Sequence, residues 1–148
     1  MVQEGRVKKE IGAGLIVFRR AHDGIRYLLL YKSRNYWNFP RGTVESEEKS
    51  FQAALRETKE ETGLTIRDLR VAINFRAYER FRFRRGRQPI FKIVILYLAE
   101  TRKRDIRLST EHQGYAWLSF EEARKFLSRY KNNPRPLKQA HDFLMEKR

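Results

Sequence analysis

The chain has 148 residues with no cysteine; 41% are hydrophobic and 13% aromatic, and 33 Lys and Arg outweigh 18 Asp and Glu for a net charge of +15. This composition excludes a disordered chain, a disulfide-stapled scaffold and a thiolate metal site, and it suits one domain over residues 1–148 with a substantial core. No apolar run is long enough to span a membrane and no apolar leader opens the chain, so a cytoplasmic protein is expected, with polyanionic partners such as nucleotides carrying several phosphates, or RNA.

Residues 11 to 20 form a nearly continuous apolar run and predict a buried strand. His22-Asp23-Gly24 turns the chain, and Tyr27 to Tyr31 return as a second strand. Asn35 to Gly42 read as a loop anchored by Trp37, Phe39 and Pro40. Ser46 is the expected N-cap of the next helix, with Glu47 and Glu48 in its positive first turn and Gly63 just past its end. On that helix Phe51, Ala54, Leu55 and Thr58 recur at the spacing of one buried stripe.

Glu57, Glu60 and Glu61 sit off the stripe and close together, and like charges at such spacing repel. A chain with 33 Lys and Arg has no shortage of cations to interleave, so three carboxylates left this close suggest a bound cation. Carboxylate oxygens without Cys or His favour a hard ion, Mg²⁺ or Mn²⁺. Arg56 is expected to pair with Glu57 or with one of the acids before the helix.

Beyond Gly63 a long strand region is predicted from Leu69 to Phe83, with Arg84-Arg85-Gly86-Arg87 as the turn and residues 90 to 98 as the returning strand. Along that hairpin Tyr78, Arg80, Arg82 and Arg84 alternate with Phe81 and Phe83, which places the two sets on opposite faces. Arginines grip phosphates bidentately and aromatic rings stack on bases, so Tyr78, Phe81, Arg82 and Arg84 are candidate substrate contacts, joined by Lys92 and by Arg41. Glu111 to Leu118 form a loop leading into a short strand. Ser119 to Glu122 is a capping box opening a helix to about Tyr130, and Asn133-Pro134 opens a last helix with Leu137, Ala140, Phe143 and Leu144 buried. His112 is expected to serve as a structural hydrogen-bonding group, and Trp37 and Trp117 to pack.

The stretch from Gly42 to Leu64 resembles the Nudix box, G-x5-E-x7-R-E-U-x-E-E-x-G-U, with U a bulky apolar residue. Gly42, Glu48, Arg56, Glu57, Glu60, Glu61, Gly63 and Leu64 match it, and Thr58 stands where an aliphatic residue is usual. The resemblance implies an α/β fold, a mixed sheet sandwiched between helices, and hydrolysis of a nucleoside diphosphate linked to another group. It implies metal ligands at Glu57, Glu60 and Glu61 and at the Gly42 carbonyl, with Arg56 holding Glu57 and Glu48 assisting. Any of these glutamates, or Glu111, could be the general base.

Residues 13–20, 54–58 and 107–118 further resemble the asymmetric diadenosine tetraphosphate hydrolases, where a Glu in the Glu111 loop completes the metal site or acts as base. That group carries a base-stacking tyrosine where this chain has Phe81. The implied reaction yields ATP and AMP. The alternatives are removal of pyrophosphate from the 5′ end of RNA, cleavage of another nucleoside diphosphate derivative, or a nucleotide-binding module that kept the fold without catalysis.

Overall fold

The computed structural model describes residues 6–129 and 132–146. Its centre is strand β1, Lys8–Ala21, which runs parallel to β7, Gln88–Thr101, from Lys8↔Ile90 to Phe18↔Glu100. On its other side β1 pairs antiparallel with β2, Gly24–Tyr31, and with β4, Arg41–Thr43. Strand β3, Trp37–Asn38, and strand β8, Gly114–Leu118, both pair with β2. Strands β5, Leu69–Val71, and β6, Ala77–Arg85, both pair antiparallel with β7. The result is one mixed sheet of eight strands.

The apolar run of β1 explains its central place. Ile16 and Phe18 pack on one face with Leu29, Leu96 and Leu98 beneath α2, Phe120–Ser128, and α3, Arg135–Glu146. Leu15 and Val17 pack on the other face with Leu28, Leu30 and Tyr97 beneath Ala53 and Ala54 of α1, Ser50–Thr62. Burying one Leu or Ile is worth about 1.5–3 kcal/mol, so a strand apolar on both sides is stable only where both faces are covered. This is the expected sheet between helices. No helix among the described residues is long and apolar enough to cross a membrane.

Several boundaries differ from expectation. The loop from Asn35 to Gly42 contains β3 and the start of β4, with Phe39 buried between them. Helix α1 starts at Ser50 rather than near Ser46, and its first turn is closed by Gln52 Oε1 accepting the Lys49 N–H at 3.0 Å. Ser46 and Glu47 form a turn with Glu47 at φ 67°, because Glu48 is drawn across to Arg56 and cannot lie in the helix. At the other end Gly63 adopts φ 79° and closes the helix as expected. The buried stripe is centred on Ala53, Ala54, Thr58, Glu61 and Thr62, with Phe51 and Leu55 half-buried. Glu61 is therefore on the buried side and not off it.

The region from Leu69 to Phe83 is two strands. Asn74 at φ 68° turns the chain between them, and β5 and β6 take successive stretches of β7. Arg84 and Arg85 are paired in β6 with Pro89 and Gln88, leaving Gly86, at φ 63°, and Arg87 as a two-residue turn. Ser119 and Glu122 form the expected capping box, with exchanged bonds of 3.0 and 3.2 Å. Helix α2 ends at Ser128; the expected end, Tyr130, lies outside the described residues. Asn133 Oδ1 accepts the Arg135 N–H at 2.9 Å and opens α3, whose Leu137, Ala140 and Leu144 are buried and whose Phe143 is half-buried.

Candidate active site

Arg56 is the hub of the acidic helix. Its Nε and Nη2 donate to the two oxygens of Glu48 at 2.7 and 3.0 Å, its Nη1 to Glu57 at 2.8 Å, and its Nη2 also to the Thr43 carbonyl at 3.1 Å. A planar guanidinium fork suits this double grip, and a Lys could not reproduce it. The pairing holds the Glu48 carboxyl down to about 2. It also fixes β4, the following loop and α1 as one unit.

Glu57 and Glu61, one helical turn apart, point at β4. The Glu61 carboxylate accepts the Arg41 N–H at 3.2 Å. Gly42 lies so close to Glu57 that a Cβ built there would meet Glu57 Cδ at 2.0 Å; only glycine fits. Burial, and then the charge of Glu57, push the Glu61 carboxyl up to about 8, and burial raises Glu57 as well. Two carboxylates this close, Glu61 buried and Glu57 half-buried, share a proton when no cation neutralises them.

Glu60 is different. Its side chain is 57% exposed and lies 3.5 Å from Arg56 Nη1. Among the described residues no three carboxylate or imidazole side chains gather on one point. The fold thus presents a pair, Glu57 and Glu61, with Glu60 held beside them at Arg56. An all-oxygen donor set of two crowded carboxylates beside the Gly42 backbone fits a hard divalent cation. Glu111 is exposed in the loop before β8, and its charge also raises Glu61, so the loop faces the pair. His112 bonds Ser109 Oγ at 3.2 Å and plays the structural part expected of it. Trp37 packs in one core and Trp117 in the other.

The candidate substrate residues divide between the two sheet faces. Phe81 and Lys92 are cross-strand partners on the face that carries Val94 and Leu96, and both are half-buried. Lys92 Cε and the Gly42 carbonyl flank the same bare spot over Gly12, where a Cβ would lie 3.2 and 3.1 Å from them. That places the Lys92 stem beside the Gly42 carbonyl. Arg41 extends over the same face, but its Nη2 is held by Glu79 at 2.5 Å and by Asn38 Oδ1 at 2.8 Å. Its charge is matched by a carboxylate whose side chain is 3% exposed. Tyr78, Arg82 and Arg84 pair with Ile95, Phe91 and Pro89 on the opposite face and are not brought together with Lys92.

Asn38 and Glu79 were missed in the sequence. The only signal was Glu79 itself, the one acid among the arginines of β6, at an inward position of the alternation.

A model of the NUDIX domain matches residues 8–141. The asymmetrical bis(5′-nucleosyl)-tetraphosphatase of Sus scrofa is 38% identical over 141 residues, covering 88% of this chain and 92% of its own. An RNA pyrophosphohydrolase of Photobacterium profundum is 28% identical over 118 residues, covering 71% of this chain and 67% of its own. Among solved structures, a C. elegans Ap4A hydrolase in a binary complex superposes with a TM-score of 0.78 at 32% identity, covering 93% of this chain and 98% of that one. The chain belongs to the NUDIX family and is one of its hydrolases.

Proposed function

We propose that the protein hydrolyses dinucleoside polyphosphates asymmetrically with Mg²⁺ or Mn²⁺, converting diadenosine tetraphosphate and water to ATP and AMP. The observation that carries this reading is the Arg56-clamped carboxylate pair against Gly42, in a chain aligned with asymmetrical tetraphosphatases over 88% of its length. Glu57, Glu60 and Glu61 with the Gly42 carbonyl would hold the cation, and Glu111 would join them from its loop. When bound, the cation offsets phosphate charge and makes the attacking water more acidic.

The chain's own groups do the rest. Arg56 keeps Glu57 aimed at Gly42. Lys92 meets the phosphate chain, and Phe81 offers a ring for one base. Water adds to one phosphorus, the bridging P–O bond breaks, and the released proton passes to a carboxylate among Glu57, Glu61 and Glu111.

A second reading is pyrophosphate removal from RNA, supported by the likeness to the Photobacterium enzyme. Turnover of diadenosine tetraphosphate and of a 5′-triphosphorylated RNA, measured side by side, separates the two. The proposal expects kcat/KM at least about a hundredfold higher for the dinucleotide, and the reverse order would overturn it.

A further inference from the structure

The outer face of the β6–β7 hairpin carries chemistry that hydrolysis does not use. Tyr78, Arg80, Arg82 and Arg84 share this face with their partners Ile95, Ile93, Phe91 and Pro89, and none of these eight positions is acidic. All three arginines are exposed, and Tyr78 is 41% exposed. The nearby carboxylates are engaged elsewhere: Glu79 holds Arg41 on the other face, Glu10 of β1 holds Arg85, and Glu100 of β7 meets Arg20. Arg80 lies 5.6 Å from the Tyr78 ring and Arg82 4.6 Å from the ring of its cross-strand partner Phe91, so guanidinium groups and aromatic rings lie side by side on this face.

At the edge of the sheet the row meets a recess that reaches round β6 to α3, on the opposite face. A cleft of about 310 Å³ is lined by Tyr78 and Arg80 of β6 and by Asn133, Arg135 and Gln139 at the start of α3. It offers a ring to stack on, the Gln139 amide and the Asn133 amide N–H₂ to pair with base edges, and two arginines. Residues two apart on a strand are about 6.7 Å apart, close to two base steps of about 3.4 Å along one strand of nucleic acid. Charge alone would suit any polyanion; the aromatic planes and the amide-lined recess favour unpaired bases.

We propose that this face binds single-stranded nucleic acid, with phosphates along Arg80, Arg82 and Arg84 and one base in the cleft beside Tyr78. The face lies across the sheet from Lys92 and Phe81; α1 packs on this side, but its Glu57 and Glu61 point at β4, which is three strand spacings, about 14 Å, from β6. Binding here is therefore separate from the hydrolytic site and does not depend on which phosphoanhydride is cleaved there.

The test uses the full chain in EDTA with a fluorescein-labelled 12-mer of RNA, and DNA of the same sequence, both with a 5′-hydroxyl and so without a phosphoanhydride. Fluorescence anisotropy should show saturable binding. With three phosphate contacts the slope of log affinity against log salt should be near −2. Arg80→Gln/Arg82→Gln/Arg84→Gln should weaken binding at least tenfold and flatten that slope, with the melting temperature and nucleotide turnover of the metal-loaded enzyme preserved. Arg82→Gln alone should give a partial loss of the same kind. Tyr78→Ala should weaken binding several-fold with the slope unchanged, and Lys92→Gln should leave it unaffected. Binding of either oligomer supports the proposal, and their ratio shows which sugar is preferred. Three results would each overturn it: unchanged binding by the triple variant, turnover falling in step with binding, or equally tight binding to phosphatidylserine vesicles with no effect of Tyr78→Ala.

Discussion

Arg41 and Glu79 meet across the sheet, from β4 to β6, over the two glycines of β1. Arg41 Nη2 lies 2.5 Å from Glu79 Oε1, and their side chains are 16% and 3% exposed. A Cβ at Gly14 would stand 2.8 Å from Arg41 Cβ and 2.4 Å from the Pro40 carbonyl, so the bare backbone of β1 lets this bridge pass. Because the Arg41 N–H also supports Glu61, the bridge ties the substrate face to the carboxylate pair.

Removing Arg41 should therefore be felt as lost stability. Arg41→Ala leaves Glu79 buried without its partner, a loss that costs about 3–5 kcal/mol in comparable pairs. Urea unfolding of Arg41→Ala, Glu79→Gln and the double variant should show clear coupling between the two sites. A loss below about 1 kcal/mol, with KM raised, would instead make Arg41 a phosphate ligand.

Gly42→Ala tests the seat of Glu57. The added methyl occupies the space of the Glu57 carboxyl, 2.0 Å from its Cδ, and the side chain must leave. Turnover with Mg²⁺ should fall by about a hundredfold or more, since ångström-scale misplacement of a catalytic group costs that much. Circular dichroism should stay native. Activity within tenfold of the parent would remove Gly42 and Glu57 from the reacting centre.

The legible part of this molecule was what local chemistry decides. The apolar run of β1, the stop at Gly63 and the capping box at Ser119 each follow from nearest-neighbour rules, and all stand in the structure. What the sequence hid depends on distant partners. Ser46 lost the helix start because Arg56, eight residues beyond Glu48, captures that acid. The split at Asn74 follows from β5 and β6 sharing β7, and the role of Arg41 from Glu79, thirty-eight residues on. Hairpin alternation gave the two faces correctly but could not say which one looks toward Gly42.

Arg56→Lys should change acid stability. Glu48 is held down to about 2, so its pairing stabilises the fold at pH values above its ordinary range and is lost as pH falls toward 2. Without the fork Glu48 returns toward its ordinary value. The variant should be less stable at pH 6, and the gap to the parent should close between about pH 4.5 and 2. A constant gap across that range would contradict the pairing.

Glu61 predicts the opposite slope. In metal-free protein its folded value, about 8, exceeds its ordinary value near 4.5, so the folded state binds the extra proton in between. Stability in EDTA should therefore fall as pH rises from 5 to 8, and Glu61→Gln should lack that component. Saturating Mg²⁺ should recover stability at pH 8, because the cation takes the place of the proton. A urea midpoint that rises with pH in EDTA, by an amount unchanged in Glu61→Gln, would refute the buried pair.

The most direct test identifies the products of diadenosine tetraphosphate hydrolysis by chromatography, with Mg²⁺ and with Glu60→Gln as the control for the cation site. Equal amounts of ATP and AMP, with turnover reduced by about a hundredfold or more in the variant, are predicted. ADP as the sole product, or no turnover with either Mg²⁺ or Mn²⁺, would contradict asymmetric cleavage by this site.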